Sequence, residues 1–402
     1  MAIEIRSAAS ADELRTGMKA GATGFGEELL DDEFERHVKT MPPDRFLTAF
    51  DGAAPVGTTA SYAFTVTIPG GELPAAGVTW VTVLPSHRRR GILTQFMRHQ
   101  LDDVHERGEP LAILWASEAV IYGRFGYGVA APTLALNADR SRFALRSDAD
   151  AAGTVRLVGA DEAEAVLPPL HEHVRREIPG MVARSPDWWT THRLADPERW
   201  RRGAGPKFWA VYERDGAPQG YAQYRIKEDW DEGFSRSELR VHEAFGLTPE
   251  ATREVWRFLF GIDLIERVRG SLDPGSQLFL SVLDPRSLRL RVGEGLWLRL
   301  VDVEAALRAR TYAAGDAVVL DVGDDACAWN VGRYRIGAEV ERTDDAPDVE
   351  LDVADLASAY LGAFDFHALA RAGRARERTP GALERASALF RTTRPPFCSE
   401  DF

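Results

Sequence analysis

The amino-acid sequence predicts an α+β protein built from more than one domain. Three observations lead there. The chain has 402 residues, which at about 100 to 200 residues per domain makes two to four units. Strand-like runs alternate with amphipathic helix-like ones through residues 46–260. From about residue 286 the pattern changes, which places a further unit at the C-terminus. Hydrophobic residues make up 45% and charged residues 28% of the chain, ordinary globular values that exclude a disordered, collagenous or disulfide-stapled protein.

Phe46 to Phe50 is strand-like, Asp51-Gly52 a turn, and Val56 to Val66 a longer strand rich in Thr and aromatics. Pro69-Gly70-Gly71 turns the chain into Gly77 to Val83, a β-branched run bounded by Pro85 that reads as a buried strand. Ile92, Leu93, Phe96, Met97, Leu101 and Val104 then recur at helical spacing, and Gly108 stops that helix. Leu111 to Ala116 is a second buried strand and Tyr122 to Tyr127 an aromatic turn.

The order repeats loosely over 151–285: strand Val155 to Val158, helix Ala163 to Ile178, strand Phe208 to Tyr212, a turn at Asp215-Gly216, strand Gly220 to Ile226 and helix Pro249 to Phe260. A degenerate duplicate fits, although no copy of the basic tract at His87 to Gly91 occurs there. Trp188, Trp189, Trp200, Trp209, Trp230 and Trp256 crowd this stretch, a density that suits core or subunit contacts. Beyond 286, Leu296 to Val301 and Val318 to Val322 read as strands, and Val303 to Ala309, Asp355 to Leu361 and Leu383 to Leu389 as helices. An acidic stretch (Asp344, Asp345, Asp348, Glu350, Asp352) and an arginine-rich one (Arg371, Arg374, Arg376, Arg378) read as solvated faces.

The formal charge is −13, which disfavours nonspecific binding to nucleic acid or anionic membrane. With Cys327 and Cys398 the only cysteines, no disulfide framework is available and a reducing compartment is the simplest setting. Met1 to Arg6 lacks the basic flank and apolar run of a signal peptide, and no stretch approaches the roughly 18 apolar residues of a spanning helix. A soluble cytoplasmic protein is expected.

The densest chemical signal is Val81-Thr82-Val83-Leu84-Pro85-Ser86-His87-Arg88-Arg89-Arg90-Gly91-Ile92-Leu93-Thr94, a buried strand leading through a basic turn into a helix. The free N–H groups of a helix start, a glycine that permits close approach and flanking arginines together suit a pyrophosphate. An isolated Arg-Arg-Arg-Gly would equally describe a basic helix start facing solvent. The tract resembles the Arg/Gln-x-x-Gly-x-Gly/Ala phosphate loop of the GCN5-related N-acetyltransferase superfamily: Arg88 and Gly91 match, while Leu93 replaces the small third residue. A second tract, Ala116-Ser117-Glu118-Ala119-Val120-Ile121-Tyr122-Gly123-Arg124-Phe125-Gly126-Tyr127-Gly128, resembles the signature of the enhanced intracellular survival (Eis) branch of that superfamily.

The resemblance covers the whole chain. It implies a catalytic N-acetyltransferase domain (1–150), a degenerate acetyltransferase-like domain (151–285) and a sterol-carrier-protein-like domain (286–402), two tandem domains of one fold followed by a third. It implies acetyl-CoA as cosubstrate, no metal, and a homo-oligomer, a hexamer. Its cofactor contacts fall on Val81, Thr82 and Val83 for the pantetheine arm, Arg89, Arg90, Gly91, Ile92, Leu93 and Thr94 for the pyrophosphate, and Ser117 and Glu118 beside the acetyl group. The implied general acid is Tyr122 and the general base the terminal carboxylate of Phe402, with Asp401, Phe25, Glu27 and Glu28 in the amine pocket. The implied substrates are primary amines, of aminoglycosides or of lysine side chains, free or in protein.

Each role answers a chemical need. An alkylamine with a pKa of about 10.4 is protonated at neutral pH and must lose a proton before attacking a thioester. A chain-terminal carboxyl, with a pKa of about 3.3 to 3.7, is ionised and can orient the ammonium as its proton leaves. The departing thiolate needs a proton, which a phenol near pKa 10 can supply within hydrogen-bond reach. Taken alone, Tyr122 reads as a packed aromatic and Phe402 as a frayed end, although Pro395-Pro396 and a terminal aromatic suit an anchored tail. His87 reads either as part of the cofactor loop or as a solvent-facing residue. Cys398 reads as an inert thiol, and His171-x-His173 has too few partners for zinc. Rival readings are a noncatalytic protein that senses CoA or binds an apolar ligand, and an acetyltransferase confined to protein lysines.

Overall fold

The computed structural model describes residues 3–146 and 153–402. The boundary expected at 150–151 lies outside them, as do Met1 and Ala2. The N-terminal part runs β1 (Ile3–Ser7), α1 (Ala11–Gly24), α2 (Asp31–Thr40), β2 (Phe46–Asp51), β3 (Ala54–Ile68), β4 (Gly71–Val83), α3 (Ile92–Glu106), β5 (Leu111–Trp115), α4 (Ala119–Tyr122) and β6 (Gly128–Asp139). The middle holds β7 (Gly153–Val158), α5 (Ala160–Arg175), α6 (Pro186–Trp188), α7 (Glu198–Arg201), β8 (Phe208–Arg214), β9 (Ala217–Lys227), β10 (Trp230–Asp231), β11 (Phe234–Ser235), β12 (Glu238–Gly246), α8 (Pro249–Gly261), β13 (Arg267–Leu272) and α9 (Leu278–Ser281). The last part comprises β14 (Arg291–Leu300), α10 (Val303–Ala309), β15 (Val318–Gly323), β16 (Gly332–Ile336), β17 (Val340–Arg342), β18 (Val349–Asp352), α11 (Val353–Tyr360), α12 (Phe366–Arg371), β19 (Ala375–Glu377) and α13 (Ala382–Phe390).

The chain forms two compact units. The first contains the chain up to Ala131, Leu296–Thr393 and Glu400–Phe402; the second contains Pro132–Gly295 and Arg394–Ser399.

In the first unit, β1 to β4 form an antiparallel run, β4 lies parallel to β5, and Leu296–Leu300 of β14 pairs antiparallel with β5. The spacing of apolar residues in α3 brings Ile92, Phe96, Met97, Leu101 and Val104 onto one buried face, packed with Leu47, Val56, Ala76, Val78 and Leu114 of the sheet. Burying each large side chain stabilises the fold by about 1.5–3 kcal/mol. Helix α1, started by the Ser10 hydroxyl accepting from the Glu13 N–H, lies close on the sheet. A Cβ on Gly17 would come within 2.5 Å of Thr48 Oγ1, and one on Gly24 within 2.4 Å of Thr82 Oγ1.

A separate five-stranded sheet of this unit has the order β17-β16-β15-β18-β19. The acidic and arginine-rich stretches, expected as solvated faces, are largely exposed, Asp344, Asp345 and Asp352 on one and Arg371, Arg374, Arg376 and Arg378 on the other, and they oppose one another here. β18 and β19 pair antiparallel with Glu350 opposite Arg376, and ion pairs join Arg378 to Glu350 at 2.6 Å and Arg385 to Asp348 at 3.0 Å. Deeper, fully buried Arg299 donates twice to Asp324, at 2.8 and 2.6 Å. Asp324 also accepts from Asn330 Nδ2 at 2.9 Å and from the backbone N–H groups of Ala326 and Cys327 at 3.0 Å.

In the second unit, Leu134–Asp139 of β6 pairs antiparallel with β13, β13 lies parallel to β12, and β12, β9, β8 and β7 continue antiparallel. Of the six tryptophans expected in core or contacts, Trp188, Trp189, Trp209 and Trp256 are buried, whereas Trp230 is 55% exposed. Buried Glu243 accepts from Arg184 (3.1 Å), Arg193 (2.9 Å) and the Tyr221 hydroxyl (2.9 Å). Among the described residues no helix is long and apolar enough to cross a membrane.

Removing one partner of a buried ion pair leaves the other charge without compensation. Arg299→Ala should therefore lower unfolding stability by about 3–5 kcal/mol. The double change Arg299→Met with Asp324→Asn, which removes both charges but keeps an acceptor for Asn330 and the Ala326 and Cys327 N–H groups, should recover much of that loss in a denaturant titration.

Candidate active site

The site is built on an irregularity in β4. Thr58 pairs with Thr82 and Ala60 with Thr79, so Trp80 and Val81 together oppose Thr59, a β-bulge. Trp80 has φ 54°, an unfavourable conformation for a non-glycine residue. Packing holds it: its ring lies edge-on to His37 (5.1 Å) and Phe46 (5.9 Å), and its carbonyl accepts from Thr58 Oγ1 at 2.7 Å. On the other side of β4, parallel pairing with β5 runs from Ala75 opposite Leu111 to Gly77 opposite Ile113 and stops there. The two strands part, and β4 from Val78 to Val83 turns one backbone edge toward the opening.

Beyond Val83 the chain makes a helical turn at Pro85–His87 and reaches α3 through the triple arginine. Arg89 (φ 63°) and Gly91 (φ 79°) bend it sharply. No side chain caps α3, so its first N–H groups, at Ile92, Leu93 and Thr94, have no intrahelical acceptor. A Cβ on Gly91 would meet nothing within 4 Å, which leaves that approach open. Arg88 Nε donates to the Val83 carbonyl (3.2 Å), while Arg90 and His87 both reach Asp51 (3.5 and 3.3 Å). The loop is thus tied back to β2, with exposed Arg89 at its outer bend. Donors, dipole and guanidinium charge converge on a place that fits a pyrophosphate. Leu93, which departs from the small residue of the phosphate loop, packs partly buried against the core.

Ser117 and Glu118 are exposed just after β5, and Tyr122 closes α4. The Tyr122 ring is 7% exposed, sits edge-on to Tyr127 (5.9 Å), and belongs to the core cluster of Ala76, Val78 and Leu114. Burial, reinforced by the charge of Glu118, pushes its phenol up to about 12. Side chains alternate along a strand, so Gly77 faces the other way. There the Phe402 ring lies 5.0 Å from the Phe64 ring and 6.4 Å from that of Tyr62. A Cβ on Gly77 would come within 3.3 Å of Phe402 Cε2. The Tyr122 ring and the Phe402 ring thus both lie close to the part of β4 where its pairing with β5 ends.

Asp401 is exposed beside that seat. Phe25 (48% exposed), Glu27 and Glu28 follow α1, whose last residue, Gly24, abuts Thr82 of β4. His87 is a loop residue held by Asp51. Cys327 and Cys398 are buried and form no disulfide, and burial pushes the Cys327 thiol up to about 11. His171 is buried edge-on to Trp189, while His173 is exposed near Glu177. Tyr62, Phe64 and Gly77, the seat of the terminal ring, and Asp51, the staple of the basic loop, escaped the sequence reading. Gly77 carried the one available signal, since a glycine inside a strand marks close approach.

Residues 4–130 match the family described as Acetyltransferase (GNAT) domain, residues 180–300 match a second family of that description, and residues 303–399 match Sterol carrier protein domain. An N-acetyltransferase from Streptomyces avermitilis is 43% identical over 368 residues, covering 89% of this chain and 90% of the relative. N-acetyltransferase Eis of Mycobacterium tuberculosis is 36% identical over 374 residues, covering 88% of this chain and 89% of its own length. The crystal structure of Eis1 from Mycobacterium abscessus superposes with a TM-score of 0.86 at 34% identity, covering 99% of this chain and 100% of that one.

A side chain at Gly91 would be forced into a left-handed conformation, shifting the N–H groups behind it. Gly91→Val should weaken CoA binding by about tenfold, or roughly 1.4 kcal/mol, in calorimetry. Unaltered affinity would separate this loop from the pyrophosphate.

Proposed function

Because the chain belongs to the enhanced intracellular survival (Eis) family of GCN5-related N-acetyltransferases, we propose that it transfers the acetyl group of acetyl-CoA directly to primary amines of aminoglycosides or lysine side chains. Phe402 is the general base, through its terminal carboxylate, and Tyr122 the general acid. The observation that carries this reading is the aromatic seat of Phe402 on Tyr62 and Phe64, against Gly77, where β4 leaves β5.

Acetyl-CoA, when bound, supplies an activated thioester. In this reading the backbone of Val81, Thr82 and Val83 holds the pantetheine arm. Arg89, Arg90, Gly91, Ile92, Leu93 and Thr94 hold the pyrophosphate, and Ser117 and Glu118 border the acetyl group. Asp401, Glu27 and Glu28 attract a cationic amine while Phe25 offers an apolar wall. The carboxylate of Phe402 orients the ammonium and takes its proton, directly or through water. Tyr122 keeps its proton at the phenolic oxygen for a leaving thiolate. Residues 1–150 form the catalytic N-acetyltransferase domain, to which Asp401 and Phe402 contribute, 151–285 form a degenerate acetyltransferase-like domain and 286–402 a sterol-carrier-like one. Copies of the chain assemble as a hexamer in the cytoplasm, a state that solution mass measures.

Thiol release from acetyl-CoA, followed with and without an aminoglycoside or diamine, tests the reaction; no amine-dependent release would favour a noncatalytic CoA-binding protein. Deleting Phe402, or extending the chain beyond it, should lower kcat by about 100-fold while CoA still binds, the scale of a lost general base. Tyr122→Phe should lower kcat with little change in acetyl-CoA affinity. With its phenol raised to about 12, Tyr122 stays protonated through the neutral and mildly alkaline range. Turnover should rise with pH as the substrate amine deprotonates and show no falling limb below about pH 10. A descending limb near pH 9 in the wild-type profile, absent in Tyr122→Phe, would contradict the raised phenol.

A further inference from the structure

The second unit repeats the β–α–β arrangement of the active site. Parallel pairing of β12 with β13 covers only Glu238 to Val241 opposite Arg267 to Gly270, and the register of β12 shifts between Val241 and Glu243. Beyond that irregularity the strands part, as β4 and β5 do. A cavity of about 330 Å³ opens there, lined among others by His242, Phe245, Ser271 and Asp273.

The anion-binding apparatus, however, is missing. Only Leu247 and Thr248 connect β12 to α8, where Leu84 to Gly91 connect β4 to α3. The Thr248 hydroxyl accepts from the Ala251 N–H at 3.1 Å, and Pro249 has no N–H to offer. A capped, proline-started helix joined by so short a link has no place for a pyrophosphate.

The chain's own segment Arg394–Ser399 lies in this cleft instead. Arg394 donates to Asp273 at 3.0 Å and to Glu177 at 3.4 Å. Pro395 presses on Gly275, where a Cβ would lie 3.1 Å from Pro395 Cδ. Phe397 is 3% exposed, packs with Val174, Ile178 and Met181, and donates its N–H to the Pro179 carbonyl at 2.9 Å. Ser399 Oγ accepts from Arg184 at 3.3 Å. Glu400, Asp401 and Phe402 come next, and three residues span at most about 10 Å.

We propose that the cleft of the second unit is an anchor for the C-terminal segment, and that Asp273, Arg394 and Phe397 are positioning residues which set where the terminal carboxylate stands. The proposal rests on the reading of Phe402 as the base. The degenerate domain serves catalysis by holding a peptide in its cofactor cleft, so that an otherwise frayed end arrives in one conformation.

The test combines single variants with the truncation. Arg394→Ala and Asp273→Asn should each lower kcat for amine acetylation by about tenfold, leaving KM for acetyl-CoA within about twofold. Arg394→Lys should restore most of the turnover. In enzyme lacking Phe402, Arg394→Ala should cause no further loss, because the group it positions is gone. Phe397→Leu, a milder change of the same anchor, should give an intermediate kcat with the KM for acetyl-CoA unchanged. Wild-type kcat in Arg394→Ala and Asp273→Asn, or an equal loss with and without Phe402, would overturn the anchor. Full turnover in the truncated enzyme would instead overturn the base, a distinct result.

Discussion

A parallel strand pair stays together only while both strands keep their register, and the bulge at Trp80 and Val81 ends that condition for β4 and β5. Buried backbone N–H and C=O groups need partners. Past Gly77, β4 has β3 on one side and an open edge on the other. An extended arm rich in amide groups is the natural complement of such an edge. Much of the surrounding packing maintains this geometry: His37 and Phe46 pin the indole, Thr58 holds its carbonyl, and Gly21 and Gly24 of α1 let that helix press on Trp80 and Thr82.

Charge is sorted over the same small region. The whole chain carries −13, yet the bend before α3 concentrates three arginines, with Asp51 tethering the loop rather than cancelling it. Beside the opening, Asp401, Glu27 and Glu28 are exposed. An anionic ligand and a cationic one would each find local potential of the opposite sign, which favours productive encounter of both. The second unit shows the contrast: the same strand opening with a capped helix and a short link accepts a peptide.

Much of this was legible in the sequence. β3, α3, β5 and α8 declared themselves because a buried face imposes a period: Ile92, Phe96, Met97, Leu101 and Val104 can all be buried only on a helix. The basic turn and the aromatic tract were readable because local backbone chemistry needs particular residues at particular spacings. Strands β6, β12 and β13 and helices α1 and α2 were not read. α1 is rich in glycine and alanine, chosen for close approach rather than apolar burial. β13 interleaves arginines with its apolar residues. The seat of Phe402 was invisible for another reason: Tyr62, Phe64 and Gly77 are far from residue 402 in the chain, and no local pattern encodes such a meeting. The acidic and basic stretches were read as solvated faces and are exposed, but that they face one another could not be read locally, since pairing of β18 with β19 is a tertiary fact.

The first unit is discontinuous: β5 needs Leu296–Leu300 as its neighbour, and the aromatic platform on β3 and β4 receives Phe402. During translation the ribosome makes the platform long before its occupant. Contacts of such sequence separation close slowly. The growing polypeptide thus cannot complete this unit domain by domain in the usual N-to-C order.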